Sequence, residues 1–575
     1  MTNRRTFARQ RLRLRENQLF LALTIVVGVL AGLSAVLFTL AIERVAHLLF
    51  GLAPSRARLL LIPPLVGTLT GILLAKVFPD VRGSGVPQTK AAFHLHGGAI
   101  PWRVPFGKFI TGALCIGSGH SMGRESPSVQ IGAGLASVIG RWVGLPPSRI
   151  KDLVPVGAAG ALAAAFNPPV AAVIFALEEI IGDMNAGLLG STVVASVASV
   201  IVERALLGNE PLFRIPTYHL VHPAELAAYA TLGVAGGIVS VVFCKGLLGA
   251  RELFRRLPSR TRIWQPALGG LLVGAVLIVV PQVIGVGYEY VDQALNNGLA
   301  LKTLVLLCAV KLAATIISYA SGNAGGIFAP TLYIGAMAGG AVGLLVRMAA
   351  PFPTGDPGAY ALVGMGTLFA GIIRAPMTSV FMIFEITQDY QILVPLMVAN
   401  LLSFMISRHY QRAPVYEALL RQDGVHLPSP ETTAAPRTWT AADVMAHEAS
   451  FIDGDSSVEA GWQRMNTWHE QVALVGSRDA VTGTITRDRL MAAMEQGLKA
   501  ERLASLVDTP VVHAHPDHPL DVVLERLAQT PGLLAIVSRD LATRLEGVVT
   551  FDQLTRVMRS RSVPLPVDDL VPGSD

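Results

Sequence analysis

Between Leu19 and Ile406 the chain is a succession of apolar runs broken by short charged or Gly- and Pro-containing segments. Crossing a bilayer takes roughly 17–25 helical residues. Leu19–Ala41, Leu59–Val77, Leu226–Cys244, Ala267–Val283 and Leu301–Ile317 meet that length, and other runs are shorter or interrupted. The pattern predicts a polytopic, all-helical membrane body. It changes near Arg421, where Gly424–Thr440, with Pro428, Pro430 and Pro436, reads as a linker. Beyond it, Ala441–Arg559 alternates strand-like with helical stretches at ordinary soluble composition. The expected segments are a basic arm over 1–16, a membrane domain over 17–420, a linker over 421–440, a soluble region over 441–560 and a tail over 561–575.

Composition agrees with the pattern. Of 575 residues 52% are hydrophobic and 15% charged, against about 25% charged in soluble domains. Arg4, Arg5, Arg9, Arg11, Arg13 and Arg15 precede the first span without a small-residue cleavage site, so no cleaved leader is expected. The positive-inside rule then puts the N-terminus in the cytoplasm, and the soluble region is expected there too. The net charge of +6 reads as a topology signal, because no nucleic-acid-binding motif accompanies it. Cys115, Cys244 and Cys308 lie scattered in apolar segments at no metal-ligand spacing.

The body repeats itself. Pro127-Ser128-Val129-Gln130-Ile131-Gly132-Ala133 matches Pro330-Thr331-Leu332-Tyr333-Ile334-Gly335-Ala336, 203 positions on. Pro169–Phe175 leads to Glu178, and Pro376–Met382 leads to Glu385, each glutamate nine residues past its proline. Two elements in one order at nearly one offset indicate duplication. Paired, Gly/Pro-interrupted segments in two halves point to a binding site near the membrane midplane.

Three interruptions share one design: Gly83-Ser84-Gly85-Val86-Pro87, Gly123-Arg124-Glu125-Ser126-Pro127 and Gly325-Gly326-Ile327-Phe328-Ala329-Pro330. Glycine lets the backbone approach a ligand, and proline is well tolerated in a first helical turn. A helix start offers free N–H groups and the positive end of the dipole, an anion site without a full cationic charge. Glu125 is an ionisable residue at membrane depth, which by default marks an ion or proton pathway.

In order and spacing these three segments resemble the signature segments of CLC chloride channels and transporters. Pro414-Val415-Tyr416-Glu417-Ala418-Leu419-Leu420 resembles the stretch that supplies the family's pore tyrosine. The resemblance covers about Leu19–Leu420. It implies an all-α membrane domain of two inverted repeats, in a homodimer with one anion path per subunit in a bacterial inner membrane. It implies that the hydroxyls of Ser84 and Tyr416, and the backbone N–H groups of Ile327 and Phe328, bind the central anion. Glu125 would be the gate, a tethered anion competing with chloride, and Glu179 the internal proton-transfer site. Glu178 is expected at an inner-end surface, Glu385 as its counterpart by duplication, and Arg124 in a structural role. Ser126 departs from the family's second glycine, and Gln88 stands where some relatives carry glutamate.

In the soluble region, Gly483-Thr484-Ile485-Thr486-Arg487-Asp488 and Gly547-Val548-Val549-Thr550-Phe551-Asp552 resemble the closing motif of CBS domains, which are α/β and work in pairs. The resemblance implies contacts from Thr486, Asp488, Thr550 and Asp552 to an adenine nucleotide. A helix cap after a strand explains the same residues without any ligand. Gly119-His120-Ser121-Met122-Gly123 fits a nucleophile elbow, but that motif needs a strand before the serine, and the preceding Thr111–Ile116 belongs to a membrane segment. His469-Glu470 lacks the second histidine of a zinc motif, Ala473 standing there, and His513, His515 and His518 read as loop residues. The expected function is chloride/proton antiport, needing no cofactor and involving no enzyme chemistry. The alternatives are a passive chloride channel of the same fold and, more distantly, a CBS-regulated magnesium channel.

Overall fold

The computed structural model describes the chain except for residues 1, 52–53, 184–185, 209–212, 214–220, 428–439, 469, 508–510, 519, 540–543 and 555–575. Most of the expected linker, the tail 561–575 and His469 therefore lie outside the described residues. Two compact units form, Met1–Pro428 and Ser429–Asp575.

The first unit is helical. Its first half comprises α1 (Thr2–Phe50), α2 (Arg56–Lys76), α3 (Val86–Leu95), α4 (Arg103–Gly117), α5 (Glu125–Trp142), α6 (Pro147–Phe166), α7 (Pro169–Phe175) and α8 (Ala186–Leu207). The second comprises α9 (Glu225–Arg256), α10 (Gln265–Val279), α11 (Tyr288–Leu295), α12 (Leu301–Ala320), α13 (Phe328–Ala349), α14 (Pro357–Ile372), α15 (Pro376–Thr387) and α16 (Leu393–Tyr410). A short α17 (Val415–Gln422) follows and includes Arg421 and Gln422, the first two residues of the expected linker. The span expected over Ala267–Val283 stops at Val279, and Pro281 opens a separate turn, because proline has no N–H to continue the ladder. Among the described residues, six helices are long and apolar enough to cross a membrane.

The halves are built alike. α1 packs on α8 as α9 packs on α16, and α5 packs on α6 as α13 packs on α14. Glycines permit both of the latter contacts: Gly132 lies against Gly157, and Gly335 against Gly364, where a methyl would strike the facing carbonyl. Two buried lysines repeat as well, 203 positions apart. Lys108 Nζ donates to the carbonyls of Val81 (2.8 Å) and Gly83 (2.6 Å). Lys311 Nζ donates to those of Val283 (3.1 Å) and Gly285 (2.7 Å). Each ammonium thus closes the glycine turn in front of a short helix, α3 or α11, and satisfies carbonyls that lipid could not.

The second unit carries two three-stranded sheets of one topology. In the first, β1 (Phe451–Ile452) pairs parallel with β2 (Val472–Gly476), which pairs antiparallel with β3 (Val481–Thr486). β4 (His513–Ala514), β5 (Leu533–Val537) and β6 (Leu545–Thr550) repeat that order, down to a register shift near the end of the central strand. Leu474 and Val481 of one sheet share an apolar cluster with Ala535, Val537, Leu545 and Val548 of the other. The two motifs therefore fold as a pair.

Candidate functional site

The starts of α5 and α13 meet at the glycine turns. Gly123 N–H donates to Gly326 O (2.8 Å), and Gly326 N–H donates back to Gly123 O (2.9 Å). This antiparallel bridge joins the two repeats. Neither turn tolerates a side chain: a Cβ on Gly123 would lie 2.5 Å from Glu125 Oε2 and 3.0 Å from Ala329 N, and one on Gly326 would lie 2.7 Å from Ser126 Cβ. The start of α3 comes to the same place, with Gly85 at φ +112°, where a Cβ would lie 2.8 Å from Ser126 O. Ser126 thus touches two of the three glycine turns. Gln88 closes the third turn, its Oε1 accepting from Gly85 N–H (3.0 Å) and its Nε2 donating to Arg82 O (3.2 Å). That is the role the sequence left unassigned to it.

Ser84, Glu125, Ile327, Phe328 and Tyr416 are all buried around this junction. Ser84 Oγ has no hydrogen-bond partner among the described residues, a cost unless the hydroxyl donates to something else. The Tyr416 hydroxyl lies 3.5 Å from Ser126 Oγ, a weak contact that leaves its proton available. Phe328 is fixed by edge contacts with Phe166, Phe175 and Phe369 at centroid separations of 5.5, 6.0 and 4.6 Å. Those contacts hold the first turn of α13, and with it the adjacent N–H groups of Ile327 and Phe328.

The Glu125 carboxylate is anchored across the repeats. Tyr288, the first residue of α11, donates its phenol to Oε1 at 2.5 Å. The Arg124 guanidinium lies 5.8 Å from the Tyr288 ring centroid, and Phe213 packs edge-on at 5.3 Å. Sequence reasoning missed Tyr288. A signal existed: Gly285-Val286-Gly287-Tyr288 repeats Gly83-Ser84-Gly85-Val86 at an offset of 202. Ser121, of the hydrolase-like motif, instead bonds Thr315 Oγ1 (3.0 Å) between membrane helices.

Glu179 sits on a π-turn over Ala176–Ile181 that follows α7. Such widened turns concentrate at functional sites. Its Oε1 accepts from Lys90 Nζ (3.0 Å), and the same ammonium reaches Glu417 Oε1 at 3.4 Å. The Lys90 and Glu179 side chains are 9% and 5% exposed, that of Glu417 24%. Lys90 and Glu417 were not singled out from sequence. Glu178 is partly exposed, and its carboxylate accepts from Met377 N–H (3.1 Å), Thr378 N–H (2.8 Å) and Thr378 Oγ1 (2.7 Å) at the start of α15. Glu385 returns the contact, accepting from Val170 N–H (2.9 Å) and Ala171 N–H (2.6 Å) at the start of α7. Each repeat caps a helix of the other, since a carboxylate matches the positive end of a helix dipole.

A cavity of about 680 Å³ opens beside the Gly83 turn. Arg82, Arg251, Arg255 and Arg262 line it against Asp80 and Asp423, with Arg251 and Arg255 bonded to Asp423 at 2.7 and 3.2 Å. The excess of cations raises the local anion concentration at its mouth.

Residues 66–408 match the family model described as voltage gated chloride channel. The chain belongs to this family. The H(+)/Cl(-) exchange transporter ClcA of Vibrio campbellii is 32% identical over 417 residues, covering 69% of this chain and 88% of its own. The chain is similar in structure to a slow cyanobacterial Cl-/H+ antiporter, at TM-score 0.64 and 29% identity over 70% of this chain and 97% of that one. A eukaryotic CLC transporter shares the fold over 93% of this chain and 97% of its own, at TM-score 0.61 and 20% identity. The CLC fold, an integral membrane domain with chloride transport as its family activity, thus stands on both sequence and structure. It is a transporter family, not an enzyme family.

Residues 503–560 match a CBS domain. In the pair, Thr486 Oγ1 accepts from Arg489 N–H (3.3 Å), and Thr550 Oγ1 accepts from Gln553 N–H (3.3 Å). Both threonines therefore cap helix starts, while Asp488 and Asp552 are exposed beside them. His513 and His515 each turn Nδ1 to a backbone carbonyl, of Val511 and Val537, both at 3.0 Å.

Proposed function

We propose that this CLC protein exchanges chloride for protons across a bacterial inner membrane, as a homodimer with both termini in the cytoplasm. Ser84 Oγ, Tyr416 Oη and the N–H groups of Ile327 and Phe328 bind the central anion. Glu125 is the gate: its carboxylate takes an anion's place at the start of α13, and protonation releases it, because two like charges in one low-dielectric site cannot both be stable. Glu179 passes the proton on the inner side. The observation that carries this reading is the Glu125 carboxylate itself, buried against Gly123 and the α13 start and bonded to Tyr288. Its support in kind is the exchanger named among the relatives. At the CBS pair, Thr486, Asp488, Thr550 and Asp552 are the proposed contacts for an adenine nucleotide.

The test is proton movement in proteoliposomes under a chloride gradient. Exchange drives protons uphill against their own gradient; a passive channel carries chloride and leaves the internal pH where leakage sets it. Absence of uphill proton movement would replace antiport with the channel reading.

Tyr288 gives a second expectation. A hydrogen bond to a charged group contributes about 1.5–3 kcal/mol, and here it favours the carboxylate over a competing chloride. Tyr288→Phe removes it, so chloride should bind about tenfold more tightly, equivalent to about 1.4 kcal/mol. Isothermal titration of purified protein with chloride reads this directly. An unchanged Kd would mean that the phenol does not hold the gate closed.

A further inference from the structure

One ammonium, Lys90 Nζ, bonds two carboxylates, the buried Glu179 at 3.0 Å and the part-exposed Glu417 at 3.4 Å. The other acid next to Glu179 is its neighbour Glu178, whose two oxygens are held by the first N–H groups of α15. Glu178 is therefore committed to structure. Of these three acids, Glu417 is the one whose side chain is both tied to Lys90 and open to solvent.

We propose that Glu417 is the entry point through which cytoplasmic protons reach Glu179, with Lys90 as the link. The inference rests on the proton role of Glu179 proposed above. A proton from water first adds to the Glu417 carboxylate. Lys90 then gives one N–H proton to Glu179 Oε1 as the Glu417 proton moves onto Nζ. The two transfers are concerted, so the nitrogen keeps its positive charge throughout. Glu417 returns to carboxylate, Glu179 has gained one proton, and water has lost one. The reverse sequence delivers a proton to the cytoplasm.

Surrounding groups leave the relay isolated. The His94 ring is engaged with Ile180 O (3.0 Å), and Arg374 is bonded to the carbonyls of Arg412 (2.8 Å) and Ser407 (3.1 Å). Tyr416 precedes Glu417 on α17, so one short helix supplies a hydroxyl to the anion site and a carboxylate to the proton route. Lys90 also orients Glu179, a positioning role beside its part in the transfer.

The test uses full-length protein and its variants in proteoliposomes. Glu417→Gln should slow proton transport about tenfold or more, the loss of a positioned proton donor. Glu417→Asp, which keeps a carboxylate, should restore most of it. In a Glu125→Gln background, which moves no protons and leaves Glu179 to balance Lys90, adding Glu417→Gln should leave chloride flux unchanged, because that flux needs no proton. Proton transport at the wild-type rate in Glu417→Gln overturns the relay. Loss of chloride flux in the double variant also overturns it, by assigning Glu417 to structure. Glu179→Gln alone separates the two levels: proton loss there with wild-type behaviour at Glu417 sinks only the relay, while protons still moving sinks the role of Glu179 itself.

Discussion

Glu125→Gln is expected to abolish proton movement while chloride continues to pass. The amide has the carboxylate's shape but carries no charge and takes up no proton, so it neither competes with chloride nor delivers a proton inward. Proton flux should fall by about a hundredfold or more, the scale of a removed proton donor. Chloride flux should lose its acceleration at low pH, since the group that opens by protonation is gone. The fold tolerates the change, because Tyr288 can still donate to the amide oxygen and no buried charge is created. Simultaneous chloride-electrode and pH recordings from vesicles measure both fluxes. A Glu125→Gln protein that still pumps protons would remove the gate from this residue.

Glu179→Gln should separate the two ions from the other side. The proposed anion site, between Ser84, Tyr416 and the α13 start, is not touched by the substitution. The proton path loses its acceptor, so proton flux is again expected to fall by about a hundredfold. Stability responds differently at this site. Lys90 is buried and loses its closer counter-charge, keeping Glu417 and a neutral amide as partners. A loss of about 1–3 kcal/mol is expected, well short of the cost of stranding a charge alone, and thermal unfolding in detergent reads it. Retained proton coupling would show that Glu179 is not the internal transfer site.

Much of the site was legible from residue order. The three glycine turns lie in front of α3, α5 and α13 as their composition requires, because glycine permits the close approach and proline suits a first helical turn. The duplication was visible in two aligned segments and shows in the structure as paired helices and paired lysines. Tyr288, Lys90 and Glu417 escaped notice for a common reason. A lysine or glutamate on a short helix has no distinctive local pattern, and the repeated glycine turn before Tyr288 does not name the residue it meets; the meaning of each lies in a partner 89 to 327 positions away. Glu178 and Glu179 show the limit most directly. They are adjacent in sequence, yet the π-turn sends one to cap α15 and the other to Lys90.

By itself the sequence determined which stretches are long and apolar enough to span lipid, where its helices break, which breaks offer N–H groups, and which carboxylate stands at one of them. Those properties follow from the hydrophobicity, backbone freedom and charge of neighbouring residues. Tertiary structure alone decided the partners: the Gly123–Gly326 bridge, the phenol on Glu125, the shared ammonium between Glu179 and Glu417, and the exchanged caps of Glu178 and Glu385. These arise only when distant segments pack together, most of them across the two similar halves. Burial favours a partner for each polar group brought inside, whether within one half, as for Lys90 and Glu179, or across the two, as for Glu125 and Tyr288.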